Sequence, residues 1–239
     1  MIDTLTFPAS RDPGMTIVRV GVDVGQRQDY SAIVVSEQEM RHDLPHFLVR
    51  SIERLQLATP YPLVVDRVEQ VMQRLEAKAL PRHGPRKFTV ELLIDATGVG
   101  LPIADMLRER GLSPRVILFT GSDRINEQPQ GVVSVGKSWM VSRLQVLLQS
   151  QRLHLPLTPE AGVLAKELQD FEVKVSESAH ASFNAKSGSH DDLVVALGLS
   201  CGIERSAGRA TSRSYLEPHL DQVRFAQRSR WVKRRLESQ

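Results

Sequence analysis

The feature that most constrains this chain is a pair of strand-like runs that each stop on a carboxylate. Residues 16–23 (TIVRVGVD) alternate apolar and polar side chains up to Asp23, and residues 88–95 (FTVELLID) read as a buried strand ending in Asp95. A further pair of acids, Asp191 and Asp192, opens the apolar stretch Leu193–Ile203. In open α/β sheets ligands gather outside the carboxyl ends of the strands, so two strand ends and a helix start can converge on one rim. Carboxylates brought together in this way repel one another unless cations intervene. Hard oxygen donors without His or Cys suit Mg²⁺ or Mn²⁺. Two such ions roughly 4 Å apart can clamp the attacking and leaving oxygens of an in-line phosphodiester displacement. Each acid also has a plainer role. Asp23 ahead of Gly25 fits a strand-to-turn carboxylate, and Ser189-His190-Asp191-Asp192 fits a helix N-terminus capped by Ser189. His190 fits either a proton-transfer role beside the acids or the same cap.

The elements around these acids alternate. Ser31–Ser36 (SAIVVS) is a β-branched run and His46–Leu55 a third strand; with Thr16–Asp23 they predict an antiparallel meander joined by short turns. Val64, Val68, Val71, Met72 and Leu75 recur at helical spacing, Leu101–Arg110 is a short amphipathic helix stopped by Gly111, and Arg115–Thr120 is another strand. Helices follow at Lys137–Gln149 and Pro159–Phe171, where Val163, Leu164 and Leu168 mark the apolar face. A small hairpin is predicted at Val173–Phe183, and a last helix within Ser189–Ile203. Three strands, a helix, a strand, a helix, a strand and then helices predict an α/β RNase H-like fold. Its central mixed sheet has three antiparallel strands then parallel strands, flanked by helices.

Composition narrows the class. With 41% hydrophobic and 25% charged residues the chain is globular, and a lone cysteine, Cys201, excludes a disulfide framework or a Cys-based zinc cluster and suits a reducing cytoplasm. Leu193–Ile203 is about half a membrane span and residues 1–14 carry no apolar signal core, so no membrane role is expected. Charge is uneven. From Arg205 onward nine Lys or Arg face three acids, a net +6 against −3 for residues 1–204. The expected organisation is a flexible segment at 1–15, an RNase H-like domain at 16–204 and a basic tail at 205–239. Within that tail Arg228, Arg230, Lys233, Arg234 and Arg235 crowd around Trp231, which suits a phosphate backbone or a solvated surface helix.

Taken together, these segments resemble a known family. Gly21-Val22-Asp23-Val24-Gly25 with Asp29-Tyr30-Ser31-Ala32-Ile33 resembles the first nuclease motif of phage terminase large subunits, and Leu93–Gly100 (LIDATGVG) resembles the second. His190–Leu197 (HDDLVVAL) is similar to the third, and Gly136-Lys137 with Arg152–Pro156 (RLHLP) matches the usual lead-in to it. The resemblance spans roughly Ile17 to Cys201. It implies a metal-dependent endonuclease that cuts concatemeric DNA during genome packaging. Asp23, Asp95 and Asp192 would be the catalytic metal ligands, with Asp191 a neighbour or alternative and Asp29 close to the same site. Two Mg²⁺ or Mn²⁺ ions are implied, with Asp23 bridging them. The implied partners are double-stranded DNA, a packaging ATPase domain, a portal and a small terminase subunit, in the host cytoplasm. Two departures stand out. The family often carries an acid three residues beyond the last ligand, where this chain has Val195, and 239 residues hold the nuclease half without the ATPase half.

Other readings compete. Gly131–Ser138 (GVVSVGKS) matches the P-loop pattern, but NEQPQ precedes it instead of a strand, and Val132, Val133 and Val135 suit a strand edge leading into a helix. Lys137 is then a phosphate contact near the acids. An actin-like or sugar-kinase ATPase needs a second Asp-x-Gly, and Asp95-Ala96-Thr97-Gly98 is offset by one. A Holliday-junction-resolvase-like nuclease and a catalytically weak DNA-binding or motor-assembly module remain as alternatives, the second supported by the tail. Spacing assigns no role to His42, His46, His83, His154, His180 or His219, and Cys201 falls in the core.

Overall fold

A computed structural model describes residues 16–25, 29–79, 88–121, 125–128, 131–177 and 190–203. The basic tail at 205–239 and the segment 1–15 lie outside the described residues. Strands β1 (Thr16–Asp23), β2 (Ala32–Arg41) and β3 (Leu44–Arg54) form the antiparallel meander, followed by helix α1 (Tyr61–Ala79), β4 (Phe88–Asp95), α2 (Gly100–Glu109) and β5 (Arg115–Thr120). Then come β6 (Asn126–Glu127), β7 (Val132–Gly136), α3 (Lys137–Gln149), β8 (Leu153–His154), α4 (Pro159–Glu177) and α5 (Asp192–Gly202). One mixed sheet runs β6-β7-β5-β4-β1-β2-β3-β8, with β4 parallel to β1, β5 to β4 and β7 to β5. This is the RNase H-like arrangement that the order of elements predicted.

Period-two alternation splits the sheet between two cores. Val18, Val20 and Val22, with Ile33, Val35, Leu92, Ile94 and Val116, pack against α1 and α2. Ala32, Val34, Leu93, Ile117, Val133 and Val135 face α3, α4 and α5 on the other side. Helix α5 is buried along its length from Leu193 to Leu199, as a helix apolar on every side must be. It lies directly on β1. A Cβ at Gly21 would sit 2.1 Å from the Ala196 carbonyl and 2.8 Å from the Ser200 nitrogen, so only glycine permits this approach. On the same face the Ser36 hydroxyl donates to the Ser200 carbonyl at 2.8 Å.

One irregularity matters for the site. Val35 pairs with Ser51 but Ser36 pairs with Val49, so Arg50 is an extra residue in β3. Such a bulge reverses which side chains face which way. Phe47 and Val49 face the α5 side before it, and Ile52 and Arg54 face that side after it.

Three local expectations change. The hairpin predicted at Val173–Phe183 is not formed at its start: residues 173–177 continue α4, and the remainder lies outside the described residues. An established helix propagates at little cost, and here it overrides the local β-branched alternation of Val173 and Val175. The N-cap of α5 is Asp191, without a side-chain cap bond, rather than Ser189, which is also outside the described residues. Val163 is exposed, the inner face of α4 being Ala161, Leu164 and Phe171 with Leu168 partly buried. Residues 132–136 are sheet-bonded as β7, which removes the P-loop reading, and Cys201 is buried. Among the described residues no helix is long and apolar enough to cross a membrane.

Candidate metal centre

The chain direction of each strand assembles one rim. Strands β1, β4, β5 and β7 all end there, β2 begins there and β3 ends there. Asp23 pairs with Ala32 and Ala32 with Arg54, while Asp23 and Asp95 each follow the paired residues Val22 and Ile94. Directly paired residues share a face of a sheet. Asp95, Asp23, Ala32 and Arg54 therefore form a row across four strands, all on the α5 side. Helix α5 brings Asp191 and Asp192 to the same rim, and β7 runs out into α3 with Lys137 at the junction.

Asp95 is held by its own turn. The Thr97 backbone N–H donates to its Oδ1 at 2.7 Å, and Thr97 Oγ1 in turn accepts from the Phe119 N–H. A Cβ at Gly100 would lie 1.9 Å from the Asp95 carbonyl, so α2 starts in van der Waals contact with the end of β4. The loop after β1 is equally tight: a Cβ at Gly25 would meet the carbonyls of Asp29 and Tyr30 at 2.2 and 2.3 Å.

Electrostatically the rim has two halves. In the first, burial and then Asp95, Asp192 and Asp191 raise the Asp23 carboxyl well above its ordinary range, opposed by Lys137. Asp95 is raised by burial, with the Thr97 hydrogen bonds and Lys137 pulling the other way. The Lys137 ammonium itself contacts Asp191 Oδ2 at 3.0 Å and stands 5.8 Å from the Phe171 ring centre. In the second half Asp192, only 4% exposed, is pushed up to about 6 by burial, against the Arg54 guanidinium. Asp192 Oδ2 lies 3.3 Å from Arg54 Nη2, and the same nitrogen is paired with Glu167 Oε1. Burial also raises Glu167. Tyr30 lies beneath the guanidinium, 5.0 Å from its ring centre, and packs edge-on against His190 at 4.9 Å.

The donor set fits a divalent cation. Asp29, His190 and Asp192 each offer a ligand atom, and these atoms all lie within 4.8 Å of one another. Among the described residues Asp192 Oδ2 and Glu167 Oε2 are buried oxygens without a hydrogen-bond partner, the condition a hard cation relieves. Asp23 and Asp95 stand outside the Asp29–His190–Asp192 group. Their mutual repulsion opposes closer approach, and a cation between them would offset it.

The sequence-derived residues are thus gathered at one rim: Asp23, Asp95, Asp191, Asp192, Asp29 and Lys137 all contribute to it. Arg228, Arg230, Lys233, Arg234 and Arg235 lie outside the described residues. Three participants were missed. Arg54 reaches the rim because of the bulge, Tyr30 was quoted only as part of a motif, and Glu167 was not singled out. His190 adds an imidazole nitrogen to a donor set read as all oxygen. His46 and His154, given no role, stack with Nδ1 and Nε2 3.0 Å apart at the far end of β3.

No protein-family model and no curated protein matches the chain. Among solved structures, the human cytomegalovirus terminase nuclease domain is similar in fold. Its manganese-soaked, inhibitor-bound form is 13% identical with a TM-score of 0.47, covering 78% of this chain and 80% of that one. The manganese-soaked form without inhibitor is 12% identical with a TM-score of 0.43, covering 76% and 80%, and a third structure of that domain is 12% identical at 0.46, covering 78% and 81%.

Proposed function

We propose that this chain is a divalent-metal-dependent DNA endonuclease, the nuclease domain of a phage or prophage terminase large subunit that cuts concatemeric DNA during packaging. The observation that carries the reading is the convergence on one rim of Asp23, Asp95 and Asp192, from two adjacent strand ends and a helix start. One of these carboxylates, Asp192, is buried and the other two are half-buried, and acids gathered in this way repel one another without cations.

Asp23, Asp95 and Asp192 would hold the cations, Asp23 being next to Asp95 in the row. Asp191 and Asp29 are the adjoining acids. Mg²⁺ or Mn²⁺ held there supplies activation of the attacking water and charge neutralisation at the departing 3′ oxygen. The protein's own contribution is positioning. Thr97 fixes the Asp95 carboxylate, Gly21 lets α5 seat Asp192 against β1, and Lys137 provides an ammonium beside the acids for a backbone phosphate. Contacts to double-stranded DNA go to phosphates and are salt-sensitive, with the tail residues Arg228, Arg230, Lys233, Arg234 and Arg235 adding to them. The packaging ATPase domain, portal and small subunit are the partners this reading implies.

Asp23→Asn tests the assignment. Mn²⁺-dependent nicking and linearisation of plasmid is expected to fall by more than about a hundredfold, beyond what even an outer partner of a ligand costs. Cleavage at the wild-type rate overturns the ligand set. DNA bound with wild-type affinity but never cut by the wild-type protein with Mg²⁺ or Mn²⁺ would favour the assembly-module alternative. Truncation after residue 204 is expected to flatten the salt dependence of DNA binding, measured by fluorescence anisotropy; an unchanged slope removes the tail from the interface.

A further inference from the structure

We propose that Glu167 is an additional carboxylate ligand for a divalent cation on the Asp192 side of the rim, with Arg54 as the tethered counter-ion that holds its place. This rests on the metal-dependent reading above and deepens it.

Glu167 belongs to α4, on the inner face between Leu164 and Phe171, and is 8% exposed. An acid at that depth normally has every oxygen engaged. One oxygen of Glu167 is paired with Arg54 Nη2. Among the described residues Oε2 has no hydrogen-bond partner, and Asp192 Oδ2 likewise has no hydrogen bond, only the 3.3 Å ion pair to the same guanidinium nitrogen. One nitrogen touching both carboxylates means that both lie within reach of a single small cation. Asp29 and His190 bring further ligand atoms to Asp192. Two carboxylates, Asp192 and Glu167, thus share one fixed positive charge, and Glu167 stands outside the Asp29–His190–Asp192 group but is joined to it through Asp192; a divalent ion matches the two acids better than Arg54 alone.

Arg54 is itself only half satisfied. Among the described residues its buried Nε has no hydrogen-bond partner, and its guanidinium rests on the Tyr30 ring. Among those residues its salt bridges go to Glu167 and Asp192. A buried acid pair with a single imperfectly bonded guanidinium is a weak way to gain stability, because desolvation offsets much of the attraction. It is a good way to keep two carboxylates preorganised near a common point. Glu167 and Asp192 would hold the ion in place of their shared guanidinium, which rests on Tyr30.

The test counts bound Mn²⁺ on the full chain by electron paramagnetic resonance of free Mn²⁺, together with calorimetric titration, and needs no catalysis. Relative to wild type, Glu167→Gln is expected to lose one bound Mn²⁺ or to bind it roughly tenfold more weakly. Arg54→Gln is expected to bind Mn²⁺ more tightly, since the competing charge is gone. The double variant Glu167→Gln with Arg54→Gln removes both charges together and keeps the test open should the single variant unfold; it is expected to lose the same site. If Glu167→Gln or the double variant retains wild-type number and affinity while Asp23→Asn does not, Glu167 is no ligand and the metal centre stands without it. If the wild-type protein binds no Mn²⁺, both readings fall.

Discussion

The two halves of the rim solve the same electrostatic problem in different ways. Around Asp23 and Asp95 the Lys137 ammonium is engaged by Asp191, and burial with the neighbouring acids raises the Asp23 carboxyl well above its ordinary range. Around Asp192 and Glu167 a guanidinium sits in direct contact with both acids. One half is left hungry for positive charge and the other is provisionally fed. The difference teaches that a cluster of acids built for cations need not be uniformly empty of them: a side chain can stand in where the acids would otherwise push a helix and a strand apart.

The sharpest way to break this comparison is to remove the stand-in. Arg54→Gln leaves Glu167 and Asp192 facing each other, and withdrawing one member of a buried charge group costs about 3 kcal/mol. Thermal melts in chelator should therefore show a large loss of stability, restored in part by Mn²⁺. Asp23→Asn should act in the opposite direction, raising the melting temperature of the chelated protein, because it relieves repulsion with Asp95, Asp192 and Asp191 that Lys137 only partly opposes. If both variants shift stability the same way, the halves are not electrostatically distinct.

A pH series sharpens the same contrast. Asp192, pushed from an ordinary 3.8 up to about 6, takes up a proton on folding between those values. Its charged form therefore costs stability fully above about pH 6, on the order of 3 kcal/mol, and nothing below the unfolded value. Asp23 is raised too, so it adds to the loss in the same direction. Without metal, stability should fall as the pH rises through this window, and Asp23→Asn should show the shallower slope. With Mn²⁺ present the slope should diminish or reverse, since cations and protons compete for these oxygens. A metal-free protein that gains stability from pH 4.5 to 7.5 would contradict both assignments.

Much of this was legible in sequence because it depends on local order. A strand that ends on Asp23, another that ends on Asp95 and a helix that opens on Asp191 and Asp192 are local patterns, and parallel pairing of β1 with β4 aligns the ends once the strands exist. Arg54 could not be read that way. Its side-chain direction follows from the extra residue Arg50, and simple alternation from Phe47 and Val49 would turn it to the α1 side. Glu167 left a trace. It stands three residues after Leu164 and four before Phe171, an acid on an apolar stripe, which is the pattern a buried ionisable group makes in a helix. The hairpin expected from Val173 failed because neighbouring helix outweighed local preference.

The contact at Gly21 has a consequence for how damage to this protein would present itself. One added methyl there meets the Ala196 carbonyl at 2.1 Å and forces α5 to retreat by roughly 1 Å to restore ordinary contact. Asp192 sits one turn away at the tip of that helix, so the retreat would be delivered to a carboxylate that never changed. A survey that replaced only the charged residues would pass over the position entirely, although a shift of that size is enough to spoil an alignment of reacting atoms.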